Sequence, residues 1–443
     1  MIFVNGLPFP TDSSQERGAL VTLLEHPKLV SASNSFEAMQ EVKVSASKED
    51  ALQGRWVYVF QREFAIVNPA HIDVPICVRV TKDVTCLITY ETMCRNSHKF
   101  VALSSNNDFS WHSRETNVAF FDIFSSNPCN ALIYHGKHVL NLYESSYMFL
   151  FPSLHVKFIG TDEATTCVGL VIRNQRNGMT SVAHMDSTNV VDIGLTQMLS
   201  LVVDKNFDDD LDVHLIGGFE DVLPKQANSS TRSKTQEKGD GYSFPLCTEI
   251  IETLHKRKEK LHIQTLFVLR HNTKRDSQGN AYPVFNGFLV KTSTGSVIPA
   301  SFDRTTRCPD ELVRRIRISA SYEDPTWNGK LLETYDTQND RFVIAPCSWT
   351  FWQVHDALTL QDLSDEEILL QCSTSPSAEG PEFVDNLRRQ WDYLIKQPLW
   401  NLTFPTRHPR VFEWTADGSW KRCLFSPQDS WNEDGAQTSF QMT

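Results

Sequence analysis

Two runs of apolar and β-branched residues, separated by a short polar loop, form the clearest pattern in this 443-residue chain. Residues 168–172 read VGLVI and residues 179–185 read MTSVAHM, which is typical of paired β-strands. The loop between them ends in Asn177-Gly178, residue types that readily adopt the positive φ of hairpin loops. The pattern therefore predicts a β-hairpin whose open end carries Cys167 and His184.

Shorter patterns predict further helices and strands on both sides of this hairpin. Leu20, Leu23 and Leu24 have helical spacing and predict a helix within residues 14–25. Ser364 and Glu367 form a capping box at the start of a helix that reaches residue 371. The other predictions are helices at 195–203, 246–260, 310–318 and 382–395, strands at 2–4, 56–67, 213–216, 263–269, 284–290 and 296–301, and hairpins at 331–345 and 411–425.

Composition and charge narrow the classes of protein to which the chain can belong. An apolar content of 40% and a charged content of 22% are ordinary for a folded soluble protein. The net charge of −12 argues against non-specific nucleic-acid binding, which needs a cationic surface. No apolar run approaches the ~18 residues of a membrane span, and the first residues do not have the pattern of a secretory signal. The ten cysteines have no regular spacing, so we expect reduced thiols and a cytoplasmic location, with the nucleus also open.

Residues 71–154 differ in composition from the rest of the chain. Thirteen of these 84 residues are charged, a smaller fraction than the 22% of the whole sequence, and the segment contains ten serines and four of the ten cysteines. Two interpretations are open, a genuine inserted lobe and translated non-coding sequence such as a retained intron. His135 and His138 have the spacing of a metal-ligand pair, but no second pair nearby completes a site, so we expect no metal.

The predicted hairpin carries a candidate pair for nucleophilic catalysis. If its loop centres near residues 175–176, Cys167 and His184 lie close together, since facing residues in a hairpin are ~5 Å apart. An imidazole beside a thiol favours the thiolate, which is the nucleophile of cysteine enzymes. A third group usually orients the histidine, and the nearby candidates are Thr161, Asp162 and Asp186. The simpler alternative is a buried cysteine and a surface histidine that share a hairpin by accident.

Other features with chemical meaning give weaker signals. Gly217-Gly218 follows a predicted strand, where paired glycines allow a close backbone approach to an active site or form a plain turn. The acidic run at 204–212 fails as a calcium loop because Asp209 stands in place of the turn glycine and Leu215 in place of the terminal glutamate. The sequence has no phosphate-binding loop, H-E-x-x-H helix, paired C-x-x-C or G-x-S-x-G motif. A nucleotide-dependent or zinc enzyme is therefore unsupported, and we expect no cofactor.

Several motifs resemble those of the eukaryotic protein N-terminal asparagine amidohydrolase family. They are GTDEATTC at 160–167, GMTSVAHMD at 178–186, HLIGGF at 214–219, APCSWT at 345–350, STSPSAE at 373–379 and PEFV at 381–384, with MIFVNG at 1–6 and YVFQRE at 58–63. The resemblance covers about residues 1–70 and 155–425, in order. It implies an α+β fold of two packed β-sheets flanked by helices, a cysteine-hydrolase, deamidase-like sandwich. The many short strands agree with that fold without singling it out.

The resemblance also implies a reaction and a set of site residues. Cys167 attacks the side-chain amide of an N-terminal Asn, His184 acts as acid and base, and Thr161 orients His184. The product is an N-terminal Asp, which in the family is arginylated and then recognised by a ubiquitin ligase. Backbone N–H groups hold the oxyanion, and the candidates are Cys167 with Thr166 or the Gly217-Gly218 turn. A carboxylate is expected to bind the free amine of the substrate, and the candidates are Asp186, Glu163 and Glu220.

Two alternatives to this function stay open. A Cys and a His 17 residues apart, with a hydroxyl residue six positions before the Cys, also resemble the bacterial chemoreceptor glutamine deamidases. The other alternative is a non-catalytic binding protein, or a chain disabled by residues 71–154. We expect residues 1–70 and 155–425 to form the catalytic domain and residues 426–443 to be a disordered tail. The expected partners are proteins or peptides with N-terminal Asn, without nucleic acid or membrane, and the chain is expected to be a monomer.

Overall fold

The structure is a computed structural model that describes residues 1–9, 18–45, 55–69, 156–204, 208–221, 241–415 and 418–423, together with the backbone of short strands between residues 76 and 149. The chain divides into two compact units. The larger unit comprises Met1–Pro69 and Val156–Thr443, and the smaller unit is Ala70–His155. Both strands of the predicted hairpin belong to the larger unit.

An eight-stranded sheet forms the centre of the larger unit. Val168–Asn174 and Thr180–Met185 are adjacent antiparallel strands in the middle of this sheet, so the predicted hairpin is confirmed. Nearly every residue of the two strands is buried. In spatial order the strands are Leu7–Pro8, Ile2–Val4, Lys260–Phe267, Asp210–Gly217, Val168–Asn174, Thr180–Met185, Glu63–Val67 and Leu332–Glu333.

A five-stranded sheet packs against the eight-stranded sheet at the hairpin. One buried core contains Val171 and Val182 from the hairpin together with Ile159 and Phe288 from the five-stranded sheet. Gly169 permits this close contact, because a Cβ at that position would lie 2.2 Å from Cε1 of Phe288. The strands of the second sheet, in spatial order, are Val42–Val44, Ser296–Phe302, Phe288–Lys291, Val156–Thr161 and Arg55–Tyr58.

Helices cover the opposite face of the eight-stranded sheet. Leu170 and Ile172, which alternate with Val171 along the strand, belong to a second core that contains apolar side chains of several helices. The period-two alternation of side chains thus divides the hairpin residues between two cores. The helices that contribute to this second core are Ala19–Glu25, Pro27–Glu37, Val191–Leu199 and Ser243–Lys256.

The second half of the chain completes the α+β class that was expected. It adds a four-stranded sheet of Tyr335–Asp336, Arg341–Ile344, Arg410–Trp414 and Trp420–Arg422, and a two-stranded pair of Thr273–Arg275 and Ala281–Pro283. Its helices are Glu311–Glu323, Phe351–Gln361, Asp365–Cys372, Phe383–Lys396 and Trp400–Thr403. Single turns of 3-10 helix lie at Thr188–Val190, Leu269–Asn272, Pro325–Trp327, Pro376–Ala378 and Pro405–Arg407. Within the described ranges, no helix has both the length and the apolar character needed to span a bilayer.

The smaller unit is described through the backbone of its strands. Its sheets are His138–Leu142 with Ala131–His135 and Phe121–Asp122, Tyr147–Phe149 with Ile76–Val78, and Cys86–Glu91 with His98–Leu103. His135 and His138 face each other across a hairpin, but their side chains lie outside the described structure. The interpretations of residues 71–154 as an inserted lobe or as non-coding sequence stay predictions.

Two regions that were each predicted as one strand or one hairpin instead contribute strands to two different sheets. The single strand predicted at 56–67 is two strands, Arg55–Tyr58 in the five-stranded sheet and Glu63–Val67 in the eight-stranded sheet. Arg62, in the turn between them, has a φ of 61°. In the hairpin predicted at 331–345, Leu332–Glu333 instead joins the eight-stranded sheet, and only Tyr335–Asp336 pairs with Arg341–Ile344.

Other predictions differ in extent. The capping box is confirmed, since Ser364 and Glu367 cap helix Asp365–Cys372 through both of their side chains. Helices Pro27–Glu37 and Phe351–Gln361 were not predicted. The predicted tail at 426–443 and part of the predicted first helix lie outside the described residues.

A buried ion pair joins helix Glu311–Glu323 to the eight-stranded sheet. Arg314 and Glu63 have fully buried side chains, and Nη2 of Arg314 lies 2.5 Å from Oε2 of Glu63. The same Nη2 donates to the carbonyl oxygen of Tyr58, and the Glu63 carboxylate accepts from the backbone N–H of Phe60. Each charge is therefore compensated, and the pair fixes the turn between the two sheets.

We predict that Arg314→Met lowers the free energy of unfolding by about 3–5 kcal/mol, because it leaves the Glu63 carboxylate buried without a cation. Urea denaturation followed by tryptophan fluorescence measures this change. Lys396→Met is the control, since the pair of Lys396 with Asp392 is exposed at 2.7 Å and its loss should cost less than about 1 kcal/mol. Equal denaturation midpoints for the two variants would contradict the prediction.

Candidate active site

The register of the hairpin differs from the predicted one. His184 faces Gly169, and Val168 faces Met185, so neither Cys167 nor Val168 is the direct partner of His184. The predicted register is wrong because the loop is centred later, with Gly178 N–H bonded to the carbonyl of Asn174. Cys167 and His184 nevertheless lie at the same end of the hairpin.

The segment that carries Cys167 crosses from one sheet to the other. Strand Val156–Thr161 of the five-stranded sheet ends immediately before it, and strand Val168–Asn174 of the eight-stranded sheet begins immediately after it. We name residues 162–167 the nucleophile turn. Within it Glu163 has a φ of 61°, and the N–H of Ala164 donates to the carbonyl of Asn286 at 2.8 Å. Cys167 is buried at the end of this turn, with 9% of its surface exposed.

Thr161 and His184 are in contact. Oγ1 of Thr161 lies 2.8 Å from Nδ1 of His184, and both side chains are buried. Oγ1 also lies 3.4 Å from the carbonyl oxygen of Asp162, which can accept the hydroxyl proton when Nδ1 of His184 carries the ring proton. In that tautomer the lone pair of the neutral imidazole is on Nε2. In the described part of the chain, Nε2 of His184 has no hydrogen-bond partner.

Both groups of the proposed pair are uncharged at neutral pH. Burial lowers the pKa of His184 to about 4, against the opposing effect of the Asp186 and Glu163 carboxylates. Burial also raises the pKa of the Cys167 thiol far above its usual range, and the charges of Asp186 and Glu379 raise it further. These pKa directions favour a thiol and a neutral imidazole in the resting protein over a thiolate and an imidazolium.

The other two candidates for orienting His184 have different partners. Asp162 accepts from the hydroxyl of Tyr58 and from the backbone N–H of Phe302, and it lies 3.0 Å from Nη2 of Arg307. Asp186 lies 3.5 Å from Arg62 and accepts hydrogen bonds from Tyr322 and Ser187. Thr161 is therefore the one of the three whose side chain is bonded to the His184 ring.

The three acids expected to bind the substrate amine are each paired with an arginine. Asp186 pairs with Arg62, as described above. Glu163 lies 2.8 Å from Arg307 and 3.0 Å from Arg315, and these charges lower its pKa although burial opposes them. Glu220 is exposed and lies 3.3 Å from Arg275. None of the three carboxylates is free to accept an ammonium group without competing with an arginine.

The residues predicted to hold an oxyanion lie around the nucleophile turn. A Cβ on Gly217 would lie 2.7 Å from the carbonyl oxygen of Cys167, so only glycine allows this approach, and its φ of 112° also favours glycine. Gly218 follows with a φ of 54°. The Thr166 hydroxyl lies 3.0 Å from that of Thr374. The oxyanion function of Thr166, Gly217 and Gly218 stays a prediction.

Sequence reasoning missed several side chains near Cys167. Glu379 and Tyr322 interact electrostatically with the Cys167 thiol, and Arg62 stacks on the ring of Tyr322 at 4.5 Å. Glu379 belongs to the STSPSAE motif at 373–379, so its position was visible in the sequence while its proximity to Cys167 was not. Arg62 likewise belongs to the YVFQRE motif at 58–63, whereas Tyr322 lies in none of the quoted motifs.

Metal ligation finds no support in the described ranges, which contain no group of three or more His, Cys, Asp or Glu side chains arranged around a common point. Cys167 and His184 stay the candidates for one nucleophile and one base. Such a site suits acyl transfer through a covalent intermediate.

Comparisons with known proteins identify relatives of this chain. Residues 136–422 match the family described as "Protein N-terminal asparagine amidohydrolase". A protein of that name from Arabidopsis thaliana is 46% identical over 434 residues, which cover 96% of this chain and 100% of the relative. Proteins of the same name from Mus musculus and Homo sapiens are each 30% identical over 273 residues, which cover 60% of this chain and 78% of the relative. The nucleophile turn and the hairpin that carries His184 lie within the matched residues 136–422. The chain therefore belongs to the protein N-terminal asparagine amidohydrolase family of enzymes.

Proposed function

We propose that this protein hydrolyses the side-chain amide of an N-terminal Asn in proteins or peptides, giving N-terminal Asp and ammonia. The observation that carries the proposal is the His184 ring, whose Nδ1 is bonded to Thr161 and whose Nε2 is unpartnered in the described structure. Membership of the family and the position of Cys167 at the same end of the hairpin support it further. We also propose that the two packed sheets form a deamidase-like cysteine-hydrolase sandwich.

The proposed reaction begins with proton transfer from the Cys167 thiol to Nε2 of His184. Sγ then attacks the amide carbon and forms a tetrahedral oxyanion, which backbone N–H groups of the nucleophile turn or of Gly217-Gly218 stabilise. His184 returns the proton to the amide nitrogen, the C–N bond breaks, and ammonia leaves a thioester on Cys167.

The second half of the reaction consumes one water molecule. Nε2 of His184 takes a proton from water, the hydroxide oxygen attacks the thioester carbon, and the C–S bond breaks. The proton on His184 returns to the leaving sulfur. The net change is the exchange of the amide nitrogen for an oxygen, and the thiol and imidazole return to their neutral resting forms.

We predict that Cys167→Ala abolishes deamidation of a peptide that begins with Asn, because no other group in the site supplies the nucleophile. Mass spectrometry of the peptide after incubation measures amide-to-acid conversion. With hydroxylamine in the reaction, the wild type should release the hydroxamate of the same peptide, which reports the thioester.

Cys247→Ala is the matched control for this substitution. Cys247 is also a buried thiol, but it lies in the apolar core of helix Ser243–Lys256, so its removal should leave the rate within about twofold of the wild type. Conversion of the Asn peptide by Cys167→Ala at the wild-type rate would rule out Cys167 as the nucleophile. Conversion of an internal Gln peptide in preference to N-terminal Asn would favour the glutamine deamidase alternative.

We predict that Thr161→Val lowers kcat by about tenfold with little change in KM, because His184 loses the hydrogen bond that fixes its ring. One hydrogen bond to a neutral group is worth about 1–1.5 kcal/mol, which corresponds to that factor. Steady-state kinetics on the Asn peptide measure both constants. Thr161→Ser keeps the hydroxyl and should recover most of the rate. If it does not, Thr161 stabilises the structure and does not orient the His184 ring through its hydroxyl.

The proposed product gives the protein a place in protein degradation. We propose that N-terminal Asp made by this enzyme is arginylated and recognised by a ubiquitin ligase, in the cytoplasm and with the nucleus as a second compartment. The product chemistry supports this, since deamidation converts a neutral N-terminal side chain into an acidic one that a transferase can distinguish.

We predict that removing this protein from cells lengthens the half-life of a reporter with N-terminal Asn and leaves unchanged that of the same reporter with N-terminal Asp. Pulse-chase measurement of both reporters in the same cells tests this. Equal decay of the Asn reporter in the presence and absence of the protein would contradict the degradation role. The deamidation reaction would still be tested by the peptide assay.

A further inference from the structure

We propose that the carboxylate of Glu379 binds the α-ammonium group of the substrate, and that this contact restricts the enzyme to a free N-terminal residue. The proposal rests on the proposed function, since it concerns how that substrate is recognised. It assigns the amine to a residue outside the three acids expected from the sequence, Asp186, Glu163 and Glu220.

Two hydrogen bonds place Glu379 beside the nucleophile turn. Thr374 is bonded through its hydroxyl to Thr166, the residue before Cys167, at 3.0 Å. The neighbouring Ser373 donates its hydroxyl proton to Oε1 of Glu379. Residues 373–379 therefore form a short loop that returns on itself at one side of Cys167, with the single turn Pro376–Ala378 between the two bonded residues.

Glu379 differs from the other acids around Cys167 in its partners. Asp162, Glu163 and Asp186 each lie within ion-pair distance of an arginine. The partner of Glu379 is the neutral hydroxyl of Ser373, and no Lys or Arg of the described ranges forms an ion pair with it. A half-buried carboxylate that lacks a cation is the expected receptor for an ammonium ligand, which forms charge-assisted hydrogen bonds with it.

The surroundings of Glu379 strengthen its preference for a cation. Burial raises the pKa of Glu379, and the negative charge of Glu163 raises it further. An ammonium group that binds there lowers that pKa again, because an opposite charge favours the ionised carboxylate. Ser375, buried in the same loop, has an Oγ without a partner among the described residues and offers a second acceptor for the ammonium N–H groups.

Binding of the amine would also activate the nucleophile. The Glu379 charge is one of the two carboxylate charges that raise the pKa of the Cys167 thiol. An ammonium group paired with Glu379 cancels that charge and makes loss of the thiol proton easier. A substrate without the amine should therefore lose kcat as well as affinity, which distinguishes this arrangement from simple binding.

The test compares two peptides that differ in one group. One begins with Asn, and the other carries a succinamoyl group in its place, which keeps the side-chain carboxamide and removes the amine. The wild type should have a kcat/KM at least about 100-fold higher for the Asn peptide. Glu379→Gln should lower kcat/KM for the Asn peptide by about 10- to 100-fold, the range of one charge-assisted hydrogen bond. It should not lower kcat/KM for the succinamoyl peptide, because removal of the Glu379 charge favours loss of the Cys167 proton.

The ratio of the two peptides is measured on one preparation, so a misfolded fraction of the variant cancels. Glu366→Gln is the matched control, because Glu366 is an exposed glutamate on the preceding helix and its loss changes the net charge equally. It should keep the wild-type ratio. The proposal would be overturned if Glu379→Gln kept the wild-type ratio of kcat/KM between the Asn and succinamoyl peptides. It would also be overturned if Asp186→Asn or Glu163→Gln lowered that ratio and Glu379→Gln did not.

A binding measurement separates this proposal from the proposed reaction. Calorimetry on full-length Cys167→Ala follows binding of the intact Asn peptide, and adding Glu379→Gln should weaken that binding by about 10- to 100-fold. If the wild type does not deamidate the peptide but binding still depends on Glu379, the proposed reaction is wrong and the amine site stands. Deamidation by the wild type, with binding insensitive to Glu379, would keep the reaction and overturn the amine site.

Discussion

The geometry of the site depends on the interactions of the buried Asp162 carboxylate. It accepts from the Tyr58 hydroxyl at 2.6 Å and from the Phe302 backbone N–H at 2.7 Å, and Arg307 lies at 3.0 Å. Tyr58 and Phe302 end two strands of the five-stranded sheet, and Asp162 directly follows the end of a third. Burial raises the pKa of Asp162 to about 6, although Arg307 and the hydrogen bonds to Tyr58 and Phe302 lower it. A buried charge with three donors is tolerated, whereas the same charge without them would destabilise the turn.

Fixing Asp162 determines where the catalytic groups lie. Thr161 precedes it and contacts the His184 ring, and the nucleophile turn that follows it delivers Cys167 to the neighbouring sheet. Gly169 and Gly217 then allow close approaches, to Phe288 and to the Cys167 carbonyl respectively. The candidate catalytic groups thus come from both sheets, and their relative position follows from the packing of one sheet on the other. A site built in this way is preorganised by the packing of the two sheets.

The sequence predicted the parts of this arrangement that are local and missed the parts that are distant. The hairpin and the placement of Cys167 and His184 at one end followed from residue patterns within 20 positions. The register was wrong because the side chain of Asn174, bonded to the N–H groups of Arg176 and Asn177, shapes the loop. Asp162 was considered only as a partner for His184, because its real partners lie 104, 140 and 145 residues away. No spacing rule reveals contacts of that kind.

Helix Glu311–Glu323 explains why charge around Cys167 is so unevenly compensated. Arg314 neutralises Glu63, Arg315 lies on Glu163, and Tyr322 donates to Asp186, so one helix binds acids on both sides of the nucleophile. Arg307 also pairs with Glu163, and Arg62 pairs with Asp186, so these acids near Cys167 already have cationic partners. Glu379 comes from a separate loop that this helix does not neutralise. Burial and the charges of Asp186 and Glu379 disfavour the Cys167 thiolate in the resting enzyme. Under the proposed amine site, a substrate cation removes the Glu379 part of that effect, and recognition of a free amine is then coupled to activation of the thiol.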